Sequence, residues 1–513
     1  MMDFYDKLRE IGLGDILSSA TYSYPGFTND DLLFNELDKI IANNSKVLIH
    51  GDPDVDGLCS LLVVRDSLRR LEHFNFDVFP YESRDHSVSS KAVSKAIYEK
   101  YDYLIIVDSS SNDLDNINKL IKFNVTPIIL DHHRCNLDSY EDYPDGCIII
   151  STYLENVIRG EKVFKLSAGA LCFCLFAEYL SNRGLEWEDL SAYALCSLYS
   201  DCIEMTNYLN RGIYYLATGL PKYKIPRVIN DFFIFYKTGC FNRRFIEYTF
   251  SPKINALFRS ENFDLLNTLV LGDIPQSFKD KLLLAVDDIH SKSRTLISRV
   301  SDTIERKNLN NIVIGNLSTS EYAVSENKLY NYTGLVANTL STEYGKPSIV
   351  LCDTGSYVKG SFRDLLSRDY LPMFKQFCNA EGHGAAFGIK LEYKEVEDFL
   401  YVLENFIDKR FNSLGVKEPL VFPYEGSLPD VKLLTDMATY NEFSGMSYPM
   451  ALVTKKNNLK SKNSFAKNTR YIYEWGEYKI DSSTIIPPGG LLKIKPIFGS
   501  KLKLVVFNKN IML

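Results

Sequence analysis

Short apolar runs alternate with amphipathic stretches through the first third of the chain. Residues 1–44 read as helical and polar, ending in the amphipathic run Asp30–Ile41. Lys46-Val47-Leu48-Ile49-His50 is then a brief apolar run of the kind a buried parallel strand shows, followed by a Gly/Pro/Asp turn and a helical stretch from Leu58 to Leu71. The order recurs at Asp102–Asp108 and Val125–Asp131, each a strand ending in polar residues. Strands alternating with helices over this length predict a doubly wound parallel sheet.

Beyond that region, residues 165–220 read as helices, and Gln276–Lys307 is a long helix without Gly or Pro that would join two lobes. A second α/β pattern starts at Asn311–Gly315, continues through Ser348–Cys352 and reaches a helix near Glu395–Asn412. After Gly415 helix periodicity gives way to short strands, clearest at Tyr471–Trp475 and Lys501–Phe507, which predict a small β barrel or sandwich. The expected domains are 1–220, a helical connector over 221–310, a second α/β domain over 311–414 and a β-rich domain over 415–513.

Composition narrows the class. The 513 residues are 45% hydrophobic and 24% charged, with 28 Gly and 18 Pro, which excludes collagen-like, low-complexity and generally disordered chains. No run of eighteen uninterrupted apolar residues exists, and the first twenty include Asp, Lys, Arg and Glu, so neither a membrane span nor a signal peptide is expected and a cytoplasmic protein is. The ten cysteines form no C-x-x-C pair and read as reduced, mostly buried thiols. Charge is uneven: Met450–Leu513 holds twelve Lys and Arg against three Asp and Glu, a balance of +9, so of the total of −7 the preceding 449 residues carry −16. A basic tail behind an acidic body is a nucleic-acid signature more than the total charge suggests.

Metal-binding residue types cluster at the predicted strand ends, where open α/β sheets place ligands. His50-Gly51-Asp52-Pro53-Asp54-Val55-Asp56-Gly57 sets an imidazole and alternating carboxylates after the first strand, with Asp54 and Asp56 able to face one cavity. Asp108 follows the second strand, Asp131-His132-His133 the third, and Asp201 comes after the helical segment Ser191–Tyr199. Singly, an acid after a strand serves most often as a helix N-cap. Three of the seven histidines joining carboxylates at consecutive strand ends is another matter. Such a mixed set suits two divalent ions, with imidazole shifting preference from magnesium toward manganese. Two ions about 3.5–4 Å apart activate a water and stabilise an attacked phosphate, which implies metal-assisted phosphoester hydrolysis.

These four segments resemble the motifs of the DHH phosphoesterases. The resemblance implies that His50, Asp54 and Asp108 hold one ion and Asp56, Asp108, His132 and Asp201 the other, with Asp108 bridging, Asp131 orienting its neighbours and His133 close to the scissile phosphate. Within that family, Ser251-Pro252-Lys253-Ile254-Asn255-Ala256-Leu257-Phe258-Arg259 is similar to the RecJ run P-x-I-N-A-x-x-R, although Phe258 stands where glycine is usual. Gly334–Ala337, Lys346–Leu351, Gly360–Arg363 and the loop Glu381-Gly382-His383-Gly384 are similar to the associated substrate-binding domain, with Glu381 replacing a glycine.

The fold so implied is two α/β lobes, a DHH doubly wound sheet and a smaller DHH-associated domain, joined by a long helix and followed by an OB-like barrel. The function implied is a divalent-metal-dependent 5′→3′ exonuclease on single-stranded DNA, with manganese favoured, magnesium accepted and a single-strand-binding protein as an optional partner. Ser361, Arg363, Gly382 and His383 would hold the 5′ end, with Arg84 and Arg259 contributing and His383 acting in catalysis. In the tail, Tyr471, Tyr473, Trp475 and Tyr478 interleave with Lys467, Arg470 and Lys479, either as stacking platforms for bases or as an ordinary sheet core with a lysine rim. Two rival functions share the fold: a phosphodiesterase on cyclic dinucleotides or short oligonucleotides, and an inactive replication scaffold.

Overall fold

A computed structural model describes residues 4–10, 13–83, 87–160, 164–272, 275–322, 328–364 and 368–407, and then 420–423, 431–443, 450–455, 460–465, 470–475, 478–482, 491–498 and 502–506. The chain divides into two compact units, Met1–Asp287 with Phe498–Lys501, and Asp288–Ile497 with Leu502–Leu513.

In the first unit β1 (Val47–Gly51), β2 (Phe76–Val78), β3 (Tyr103–Val107), β4 (Thr126–Asp131) and β5 (Ile148–Ser151) form a wholly parallel sheet in the order β2-β1-β3-β4-β5. β1 and β3 are buried along their whole length, as strands covered on both faces must be. On one face Leu48, Leu104, Ile106 and Ile129, spaced two apart within a strand, pack with Val93 and Ala96 of the helix Ser90–Tyr98 and with Ile117 and Leu120 of the helix Leu114–Lys122. The helix Val55–Arg70 packs against the helices Ala168–Ser181 and Ser191–Ser200, and all three are buried along most of their length.

The second unit is built on a mixed sheet. β6 (Glu305–Asn308), β7 (Val313–Asn316), β8 (Ser348–Asp353), β9 (Val358–Arg363), β10 (Asn379–His383) and β11 (Ala386–Leu391) lie in the order β10-β11-β9-β8-β7-β6, with only β7 and β8 parallel. Ile314, Ile349 and Leu351 face one core while Val313, Val350 and Cys352 face the other, where the helix Thr333–Tyr344 packs. A third sheet holds β12 (Leu420–Pro423), β13 (Met450–Lys455), β14 (Lys460–Phe465), β15 (Arg470–Trp475), β16 (Tyr478–Ser482), β17 (Leu491–Phe498) and β18 (Leu502–Val506), in the order β12-β13-β17-β18-β16-β15-β14.

Four elements differ from the sequence expectation. The stretch 1–44 is helical among the described residues only at Phe4–Glu10 and Asp30–Ala42, and residues 13–29 between them are turns and irregular backbone. The connecting helix runs Gln276–Thr303 and stops there, because Glu305–Asn308 pairs antiparallel with β7 as a charged edge strand. The segment after Gly415 is not purely β: Val431–Phe443 is a helix that buries Leu434, Met437 and Ala438 at helical spacing. The tail is β-rich as expected, but among the described residues no pairing joins β12 to β14, so closure into an OB-like barrel is not part of the described sheet. No helix among the described residues is long and apolar enough to cross a membrane.

Candidate active site

The carboxyl edge of the parallel sheet collects the chemistry. β1 ends at Gly51, and Asp52-Pro53-Asp54 turns the chain into the helix Val55–Arg70, which Asp54 caps by accepting from the Gly57 N–H at 3.0 Å. Space demands glycine at 57, inside the first turn of that helix, where a Cβ would stand 2.3 Å from the Asp52 carbonyl oxygen. Asp56, in the first turn, is buried. Its carboxylate accepts from the N–H groups of Ala168 (3.0 Å) and Gly169 (2.8 Å), which open the helix Ala168–Ser181, and from the Ser197 hydroxyl at 2.5 Å. A helix N-terminus is a favourable place for such a charge.

Asp108 follows β3 with φ of 64°, a left-handed conformation that Asp tolerates better than most residues. Asp131 ends β4 and is held from all sides: Oδ2 accepts from the Ser111 hydroxyl at 2.6 Å, and Oδ1 accepts from the His132 N–H at 2.7 Å and lies 2.9 Å from His133 Nδ1. His132 Nε2 thereby stands 3.2 Å from Asp108 Oδ1, 3.6 Å from Asp56 Oδ2 and 3.8 Å from Asp201 Oδ2. Three groups converge, each with ligand atoms within 4.8 Å of one another: Asp52, Asp54 and Asp108; Asp56, His132 and Asp201; and Asp108, His132 and His133.

Electrostatics follow from burying like charges together. Burial, then the charges of Asp201 and Asp54, pushes the Asp56 carboxyl up to about 7. Burial and the neighbouring Asp56, Asp54, Asp52 and Asp131 push Asp108 well above the carboxylate range. Asp131 goes the other way: burial opposes its charge, but His133, His132 and the Ser111 hydroxyl outweigh that and carry it below the ordinary range. Burial holds His50 neutral, down to about 4 against the pull of Asp52.

Of the residues expected to hold metal, Asp54, Asp56, Asp108, His132 and Asp201 all fall in the converging groups, and Asp108 and His132 each belong to two. His50 lies at the same strand end but in none of these groups. Its Nε2 accepts from the Ser89 N–H at 3.4 Å, while its buried Nδ1 has no hydrogen-bond partner among the described residues. Sequence reasoning passed over Asp52, although the alternation 52, 54, 56 signals it, and it had no means of finding Ser197 or Gly169 beside Asp56. Carboxylate oxygens with imidazole nitrogens, with Asp56 and Asp108 crowded enough to raise their own proton affinity, form a donor set that fits a divalent cation.

Arg84 lies outside the described residues. Arg259 closes the helix Ser251–Arg259, and the Phe258 ring beside it meets Tyr81 edge-on with centroids 4.8 Å apart. In the second unit Ser361 and Arg363 sit on β9 at the N-terminal end of the helix Thr333–Tyr344. The Ser361 hydroxyl is 2.8 Å from that of Thr333, and a Cβ at Gly334 would come 2.5 Å from the Arg363 guanidinium, so glycine makes the room. The register aligns His383 of β10 and Arg363 of β9 on either side of Ala386, and Gly382 takes φ of 134° within that strand. A helix start, two hydroxyls and a guanidinium form an anion-binding arrangement.

Residues 46–187 match the model of the DHH family, N-terminal domain, and the chain is similar to RecJ proteins in sequence and fold. From Bacillus subtilis (strain 168), the protein named "Putative SPbeta prophage-derived single-strand DNA-specific exonuclease YorK" is 21% identical over 436 residues, covering 78% of this chain and 72% of the relative. Single-stranded-DNA-specific exonuclease RecJ of the same organism is 22% identical over 398 residues, which are 73% of this chain and 47% of RecJ. In fold the chain is similar to RecJ of Thermus thermophilus solved in complex with Mn2+, with a TM-score of 0.69 at 15% identity over 94% of this chain and 71% of that one.

Proposed function

We propose that the protein is a divalent-cation-dependent exonuclease that removes nucleotides from the 5′ end of single-stranded DNA through a pair of metal ions. The observation that carries this is the sharing of Asp108 and His132 between converging donor groups at one sheet edge. Single-strand exonuclease relatives and a RecJ fold with Mn2+ support the substrate and the cation class.

In this reading Asp52, Asp54 and Asp108 would hold one cation and Asp56, His132 and Asp201 the other, the two groups meeting where Asp108 Oδ1 stands 3.2 Å from His132 Nε2, with His50 at the same strand end. The bound cations supply an activated water and stabilise charge on the phosphate. Asp131 fixes the ring of His133, whose side chain is 43% exposed and is kept protonated by that carboxylate, so His133 donates toward the scissile phosphate. On the second unit Arg363, Ser361 and Thr333 grip a terminal phosphate, with Gly382 and His383 proposed as further contacts to the strand; on the first unit Arg259 and Arg84 are proposed to contact the DNA backbone.

The test is an assay with 5′- and 3′-labelled forty-mers and a dinucleotide, with Mn2+, Mg2+ or chelator. Mononucleotides released from the 5′ end of the forty-mer only when cation is present are expected. Preference for the dinucleotide, or undiminished cleavage in chelator, would overturn the assignment.

A further inference from the structure

Tyr81 is held with more care than a packing residue needs. Its peptide is bracketed by the Asn267 side chain, whose Oδ1 accepts from the Tyr81 N–H at 3.0 Å and whose Nδ2 donates to the Tyr81 carbonyl at 2.9 Å, from 186 residues away. The Phe258 ring meets the phenol edge-on, so both backbone and ring are fixed. The hydroxyl thereby lies over the end of β1, where a Cβ at Gly51, the residue before Asp52, would come 3.1 Å from it.

That hydroxyl is buried and has no hydrogen-bond partner among the described residues. Phenylalanine would fill the same space without burying an unpaired donor, so packing alone does not account for tyrosine. Burial, then the charges of Asp52, Asp54 and Asp108, raises the phenol far above its ordinary value and keeps the O–H in place. A small cavity lined by His50, Gly51, Pro53 and Tyr81 lies at this strand end and leaves room for one oxygen beside the phenol.

We propose that Tyr81 is a positioning residue of the candidate metal centre: its hydroxyl donates to an oxygen held between it and Asp52, Asp54 and Asp108, and so strengthens divalent-cation binding there. This rests on the cation-binding reading of the site. It assigns Phe258 a purpose as well, since the ring that departs from the RecJ run is the one against Tyr81.

Calorimetric titration of Mn2+ into the full chain tests it, comparing the unsubstituted protein with Tyr81→Phe and Asp108→Asn. Tyr81→Phe should weaken Mn2+ about tenfold, the lower end of what loss of such a supporting hydrogen bond does, while the melting temperature without metal is unchanged or raised. A packing role predicts the reverse, a lower melting temperature and an unchanged Kd, and that result overturns the proposal. Should Asp108→Asn lose Mn2+ while Tyr81→Phe binds within twofold of the unsubstituted chain, the role of Tyr81 falls and the metal centre stands. Failure of the unsubstituted chain to bind Mn2+ overturns both.

Discussion

The two α/β sheets solve opposite electrostatic problems. The parallel sheet ends in Asp52, Asp54, Asp56, Asp108 and Asp131, several of them nearly inaccessible and crowded enough that Asp56 and Asp108 hold protons far above the usual carboxylate range. The mixed sheet brings no acidic cluster to the corresponding edge among the described residues; it presents Ser361, Arg363 and the start of a helix, with Gly334 cleared away to admit a guanidinium. In the proposed function the first site would take a cation and the second an anion. A parallel sheet suits the first because all its strands end at one edge and its loops converge there, whereas an antiparallel ladder brings neighbouring strands to that edge from opposite directions.

Separating the two sites by substitution sharpens this contrast. Asp108→Asn is expected to cost at least about 10^3-fold in nuclease rate, because it removes a carboxylate shared between donor groups, and to raise the melting temperature of the metal-free protein by removing the cost of burying an acid among acids. Rate assays paired with thermal melts check it; retained turnover breaks the comparison at its first half. Arg363→Ala should raise KM for a 5′-phosphorylated strand about 10- to 100-fold, the worth of a charged hydrogen bond, with Mn2+ affinity unchanged. If Mn2+ binding falls as well, the two sites are not the separate devices described.

The smallest effect concerns pH. Asp56 and Asp108 have folded-state pKa values raised above their unfolded ones, so their protonated forms contribute stability that is fully present below about pH 4 and is lost as pH rises through about 7 for Asp56. Added Mn2+ should therefore raise the melting temperature by several degrees more at pH 8 than at pH 5.5, where protons compete for the same oxygens. Equal shifts at the two values would show that the acids do not share one cation-binding cluster.

Much of the site is legible in the chain because acids at strand ends are a local pattern: Asp54, Asp56, Asp108, His132 and Asp201 come together as their positions suggest. The helix Val431–Phe443 carried a readable period that the surrounding strand signals outweighed. Glu305–Asn308 carried none, since a polar tetrapeptide becomes a strand only when β7 offers it an edge.

The order of residues alone determined the alternation of strand and helix in the first unit, the identity of the acids at each strand end and the basic character of the tail, because burial period and residue type act over a few positions. Only tertiary structure decided that Ser197 and the opening of the helix Ala168–Ser181 support Asp56, that Asn267 and Phe258 aim Tyr81, and that Asp52 joins Asp54 and Asp108. Those contacts join segments a hundred or more residues apart or depend on the angle of a turn. Neither distance nor angle is written in local hydrophobic periodicity.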